Sequence, residues 1–136
     1  MNTSIVFPKH TCDLQNYYYF NQGFSSEELD KIYNDVATIP FHNAVVGENS
    51  EEDIKIRSSS IKWIPPNEHW AWLYEKLMNM IMEANNALWH FELHSLTDHI
   101  QHTEYYADKG GHYGWHQDIG PGEMSKRKIS ITVQLS

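Results

Sequence analysis

Gly110-Gly111-His112-Tyr113-Gly114-Trp115-His116-Gln117-Asp118 is the stretch that decides how this chain reads, because it sets His116 and Asp118 two residues apart just after a strand-like segment. In extended backbone, side chains at i and i+2 leave the same face, with Cα atoms about 6.6 Å apart at a rise of roughly 3.3 Å per residue. An imidazole and a carboxylate set out in this way can converge on one metal ion. His112, beside the two glycines, is read as shaping the turn.

Upstream, residues 100–107 read as a strand. Gln101, Thr103 and Tyr105 share one face, while Ile100, His102, Glu104 and Tyr106 share the other. Hydrogen-bonding groups on an inward face suit the wall of a polar pocket. Downstream, residues 127–136 alternate Ile129, Ile131, Val133 and Leu135 with Ser130, Thr132 and Gln134. This predicts a further strand, one face packed on helices and the other free to line a pocket.

Two helices stand before these strands. Phe24-Ser25-Ser26-Glu27-Glu28-Leu29 carries a capping box, with Ser25 as N-cap, Glu28 three residues on, and Phe24 and Leu29 as a hydrophobic staple. Leu29, Ile32, Tyr33 and Val36 follow at helical spacing, and Pro40 ends the run. A second helix is expected over residues 67–86 with Asn67 as cap. Its stripe is Trp70, Leu73, Leu77, Met80 or Ile81, Ala84 and Leu88, read as packing against a sheet. Residues 46–54, with Glu48, Glu51, Glu52 and Asp53, read as a polar loop. His90 and His94 are not expected to form a second metal site: residues 89–94 alternate as a strand or loop, where i and i+4 lie far apart.

The chain of 136 residues fits a single domain, 1–136, of a size that can bury about two-thirds of its unfolded surface. Five Trp and eight Tyr suit a packed domain or a ligand-lining pocket, not a disordered tail. A formal charge of −8 argues against general nucleic-acid binding, and the run Lys126-Arg127-Lys128 is too short to alter that. Cys12 is the one cysteine, which rules out an intrachain disulfide and makes the cytoplasm the expected compartment. No stretch approaches the roughly twenty apolar residues of a membrane span, and residues 1–10 lack the basic start and apolar core of a signal peptide.

Two histidines and one carboxylate on one face of a metal, with open positions opposite, are what non-haem Fe(II) oxygenases use, and His116 and Asp118 supply two of the three. The chain resembles the Fe(II)/2-oxoglutarate dioxygenases of the prolyl-hydroxylase type. The likeness rests on five features in order: an Arg-containing strand ending in Trp (residues 56–64, with Arg57 and Trp63), the helix near 70–88, the strand at 100–107 with an inward Tyr, the His-x-Asp turn, and the Arg/Lys-led strand at 127–136. It spans about residues 17–136. The resemblance implies an α+β fold, an incomplete double-stranded β-helix (jelly roll) with supporting N-terminal helices. It makes His116 and Asp118 metal ligands and Tyr105, Thr132 and Gln134 cosubstrate contacts, although Tyr is common in the family where Gln134 stands. Arg57 can meet substrate near the metal or pair with a surface carboxylate, and Trp63 and Trp115 read as core or pocket wall.

The implied cofactors are Fe(II) and 2-oxoglutarate, with ascorbate admitted as an accessory. The implied reaction hydroxylates a peptide or protein side chain while the oxoacid is decarboxylated to succinate. The family's distal His and its carboxylate-binding Arg or Lys have no counterpart in this sequence. The expectation is therefore a truncated oxygenase-like domain, inactive as it stands. A non-catalytic β-helix module that binds a partner or assembles as a homodimer through the truncated sheet edge is the alternative, and a hydrolytic or structural zinc protein using His112, His116 and Asp118 is a third reading.

Overall fold

Ser25 begins the first helix as its capping box directs. In this computed structural model, which describes residues 15–43, 57–96 and 98–135, the Glu28 N–H donates to the Ser25 hydroxyl at 3.2 Å and the Ser25 N–H to the Glu28 carboxylate at 2.7 Å. Helix α1 (Ser26–Ala37) follows, with Ile32 and Val36 buried one turn apart. It closes at Thr38, whose N–H and hydroxyl both return to the Asp35 carbonyl. The acidic loop at 46–54 and Cys12 lie outside the described residues.

The expected strand at 56–64 is two strands. β2 (Arg57–Ser58) and β3 (Ser60–Ile64) are separated at Ser59, where the chain leaves one sheet for another. β3 lies between β1 (His42–Asn43) and β4 (Ile100–Glu104) in a three-stranded antiparallel sheet. β2 pairs instead with β5 (His112–Tyr113) as a two-stranded ribbon. The division follows from the length of β4: its pairing stops at Glu104 opposite Ser60, so residues before Ser60 must find another neighbour.

Register sets the two faces of the larger sheet. Ile64 faces Ile100, Lys62 faces His102 and Ser60 faces Glu104 on the helix side, while Ile61 faces Thr103 and Trp63 faces Gln101 on the outer side. Ile64 joins Ile32, Val36, Trp70, Leu73 and Leu77 in the core, with Ile100 packed against them. Lys62 is buried on this apolar side because its ammonium reaches the end of α1: Nζ donates to the Val36 carbonyl at 2.9 Å and lies 4.0 Å from the Phe41 ring centre. A cation there meets the negative end of the helix dipole.

The second helix enters through a 3₁₀ turn, Glu68–Trp70, capped by Asn67 Oδ1, which accepts the Trp70 N–H at 3.2 Å. Helix α2 (Ala71–Ala84) buries Leu73, Leu77 and Ala84 in line with Trp70. Its last turn widens to a π turn, Asn85–Trp89, and His90 ends it at a positive φ of 55°. Buried Asn85 bonds both backbone groups of Phe91 at 2.9 Å. Tyr74 ties the helix to the sheet, donating to the Ile64 carbonyl at 2.6 Å and accepting the Ile100 N–H at 3.0 Å.

Of the alternating residues at 127–135, Ile129, Val133 and Leu135 are half-buried but Ile131 is exposed, and the segment forms no strand. A strand needs a neighbour's N–H and C=O groups, and no described segment supplies them. Apolar contact holds the segment instead. Val133 and Leu135 pack on the helical core, and the Tyr33 hydroxyl donates to the Leu135 carbonyl at 2.7 Å.

Candidate functional site

After β4 the backbone must reverse within a few residues to bring β5 beside β2. Tyr106 accepts through its carbonyl from the Lys109 N–H at 3.2 Å and the Gly111 N–H at 2.8 Å, and Gly110 takes a φ of +63°. Any Cβ on Gly111 would stand 2.6 Å from the Tyr106 nitrogen and 2.9 Å from its oxygen, so this position accepts only glycine. The His112 ring donates from Nδ1 to the Gly110 carbonyl at 2.8 Å, which makes it part of the turn.

The turn delivers His116 and Asp118 to each other. His116 Nε2 lies 3.3 Å from Asp118 Oδ1, the two side chains being 37% and 50% exposed. His116 Nδ1 lies 2.9 Å from the Gly114 carbonyl. A carbonyl can only accept, so Nδ1 carries a proton. In the neutral ring, Nε2 then presents a lone pair to a carboxylate oxygen that also only accepts. Two acceptors at this separation repel unless a proton or a metal cation lies between them. The imidazole plane is further set by Tyr113, whose ring stacks on it with centres 3.7 Å apart at 15°.

Asp118 is held from the C-terminal segment. Its Oδ2 accepts the Ser130 hydroxyl, and its carbonyl accepts from Arg127 Nη1 at 2.8 Å. Arg127 is anchored in turn by Asp98, at 3.0 Å from Nε and 2.9 Å from Nη2. Tyr113, Ser130 and Arg127 are thus the site residues that sequence reasoning did not single out. Ser130 shares the alternating face of Thr132 and Gln134, which was the signal available for it.

The expected cosubstrate contacts are all at the surface. Tyr105 is half exposed just beyond β4, and Thr132 and Gln134 are exposed in the C-terminal segment. Neither Tyr105 nor Thr132 makes a hydrogen bond to His116 or Asp118. Among the described residues no group of three His, Cys, Asp or Glu side chains converges as a metal site, so His112 does not complete a triad with His116 and Asp118.

Arg57 borders the site through β5. Register sets it opposite Tyr113, and its guanidinium carbon lies 4.7 Å from that ring's centre. Nε donates to the Ser59 hydroxyl at 2.8 Å, whereas Nη2 is buried with no acceptor. The expected surface ion pair is absent among the described residues. Stacking on tyrosine is worth about 0.5–2 kcal/mol, and an unmet buried donor costs about 1–3 kcal/mol, more when charged. The stack alone therefore does not account for the arginine's position.

A second polar cluster lies on the helix side of the sheet. Glu104 accepts from the Tyr106 hydroxyl and approaches His102 Nε2 at 3.3 Å. Burial pushes the Glu104 carboxyl up, but the hydrogen bonds from Tyr106 and His102, with the charges of His102 and Lys62, hold it below its ordinary value. The bond to Glu104 raises the Tyr106 phenol. Two surface hollows, of about 620 and 420 Å³, lie along α1 and α2 and contain none of these residues.

No helix among the described residues is long and apolar enough to cross a membrane. Comparison of the chain with protein-family models, with curated proteins and with solved structures finds no match.

Proposed function

We propose that this chain carries the His-x-Asp portion of a non-haem Fe(II) centre in a 2-oxoglutarate-dependent oxygenase-like domain, one whose intact form hydroxylates a peptide or protein side chain. The observation that supports it most is the facing of His116 Nε2 and Asp118 Oδ1 at 3.3 Å, with the far imidazole nitrogen donating to the Gly114 carbonyl. A histidine that binds metal through one nitrogen donates from the other to a carbonyl or carboxylate, which fixes its tautomer and raises its basicity. Ser130 does the same for the carboxylate by occupying Oδ2 and leaving Oδ1 facing His116 Nε2.

These donors fit a divalent cation of mixed nitrogen and oxygen preference such as Fe(II). When bound, the metal supplies the activation of oxygen and of the oxoacid. The chain's own groups orient: Tyr113 fixes the ring plane, Arg127 holds the Asp118 backbone, and Gly111 permits the turn. In this reading the two sheets are opening strands of a double-stranded β-helix. With two donors among the described residues, metal affinity is modest and turnover of 2-oxoglutarate to succinate is low.

Titration with Co(II), followed by its visible absorption, tests the reading. Wild type should bind at least tenfold tighter than His116→Ala or Asp118→Ala, and equal affinity in all three would remove it. One observation favours a second reading, a self-associating β module: residues 128–135 have no ladder partners among the described residues, and unpaired backbone invites another strand. Light scattering over a dilution series, with Ile131→Lys as the disrupting variant, separates the two. A monomer at all concentrations, unchanged by the substitution, discards the module.

A further inference from the structure

His116 and Asp118 are two donors, and a bound zinc-like cation takes at least four. Among the described residues no third His, Cys, Asp or Glu joins them. Their spacing indicates the coordination they suit. Ligand atoms on a tetrahedral ion with bonds of about 2.0–2.1 Å lie about 3.3–3.4 Å apart. Right-angle ligands of a six-coordinate ion with the same bond lengths lie about 3.0 Å apart. His116 Nε2 and Asp118 Oδ1 are 3.3 Å apart, so the pair is spaced as one half of a four-coordinate site.

This half-site stands at the surface, with both side chains more than a third exposed. Each donor is already oriented from behind, His116 through Nδ1 on the Gly114 carbonyl and Asp118 through Oδ2 on the Ser130 hydroxyl. The residues flanking them in sequence are apolar and face solvent: Trp115 is fully exposed and Ile119 is 55% exposed. Tryptophan is among the residues most enriched at the buried centres of protein–protein interfaces.

A second copy of the chain brings what is missing. Its own His116 and Asp118, related by a two-fold axis through the ion, complete two nitrogens and two oxygens. Two neutral imidazoles and two carboxylates carry a charge of −2, which cancels that of a divalent cation. Without the cation, copies with a formal charge of −8 repel each other, so association follows the metal.

We propose that His116 and Asp118 of two copies form one shared, four-coordinate site for a zinc-like divalent cation, with Trp115 covered at the contact between them. The two donors rest on the metal-centre reading above; what completes them is new here. The link is the ion and not a ladder at residues 128–135.

The full chain, stripped of metal by a chelator, is titrated with Co(II) and followed by sedimentation equilibrium and visible absorption. The mass should double as one Co(II) is added per two chains, with the intense absorption of a four-coordinate ion, and excess chelator should restore the monomer. His116→Ala and Asp118→Ala, with helical circular dichroism retained, should stay monomeric at the same metal concentration. Trp115→Glu keeps both donors but sets a charge on the covered face, and it should weaken the metal-bound dimer at least tenfold.

One Co(II) per monomer, with the weak absorption of a six-coordinate ion, removes this inference and leaves the metal centre. Absence of Co(II) binding removes both. A dimer that persists in chelator, that survives both donor substitutions, or that forms as tightly with Trp115→Glu overturns the proposal, because the link then lies elsewhere on the chain.

Discussion

The helical body and the segment that carries the site are built on different physics. Every buried residue of the described chain lies at or before Asn85, in α1, β3, the turn into α2, α2 and the start of its π turn; beyond Asn85 none is buried. The body is held by apolar packing with capped helix ends. The site is held by a glycine turn, a ring stack, a hydrogen bond to the Gly114 carbonyl, and hydrogen bonds from Ser130 and Arg127. Packing is cooperative and hard to perturb at the surface, while a hydrogen-bonded loop opens locally at lower free energy. The contrast teaches that stability and ligand chemistry can be altered separately here.

The strongest attack on that contrast is on the body. Trp70→Ala removes a side chain at the junction of α2 and the sheet and should cost about 3–5 kcal/mol, read as a large fall in the urea midpoint. Gly111→Ala strikes the site segment where a Cβ collides with the Tyr106 backbone. It should cost about 1–3 kcal/mol and also weaken Co(II) binding, with helical circular dichroism retained. Equal losses of helix and metal binding would show that the two regions unfold as one.

A smaller effect is expected from pH. The Glu104 carboxyl is held below its ordinary value of 4.5 in the folded chain. Its contribution is therefore complete above that value and lost as pH falls through the folded pKa. Urea midpoints measured below pH 4.5 should fall less steeply in Glu104→Gln than in wild type. Identical acid limbs would show that the cluster with His102 and Tyr106 adds nothing to stability. The smallest change in stability belongs to His116→Ala, expected to stay within about 0.5 kcal/mol while losing metal. A larger drop would mean that the stack on Tyr113 supports the fold.

Much of the body was legible in the sequence because its signals are local. Ser25 and Glu28 announce a helix start within four residues, and Trp70, Leu73, Leu77 and Ala84 announce a buried stripe by spacing alone. The pairing of His116 with Asp118 was legible for the same reason, being a matter of i and i+2. The sheet division at Ser59 was not, since it depends on where β4 ends more than forty positions later. Residues 127–135 show the limit from the other side: alternation marks Val133 and Leu135 as core-facing but not the exposure of Ile131, and it carries no information on whether a neighbouring strand exists. Arg57 looked like a surface charge because nothing local reveals that Tyr113 folds over it.

The change of sheets at Ser59 also orders events in time. Residues 57 and 113 are far apart along the chain, and joining them unaided would carry a large loop-closure entropy. Once β3 and β4 have zipped together, the remaining loop is only the turn at 105–111, and β2 meets β5 almost without further search. The ribbon is therefore a late arrival, riding on a hairpin-like pairing already made, and it is the first element released when the chain breathes. Native-state hydrogen exchange should find the Gly111 amide, which the turn protects, opening well before that of Ile100 beneath Tyr74, so the His116–Asp118 segment would come apart while the helical body stays folded.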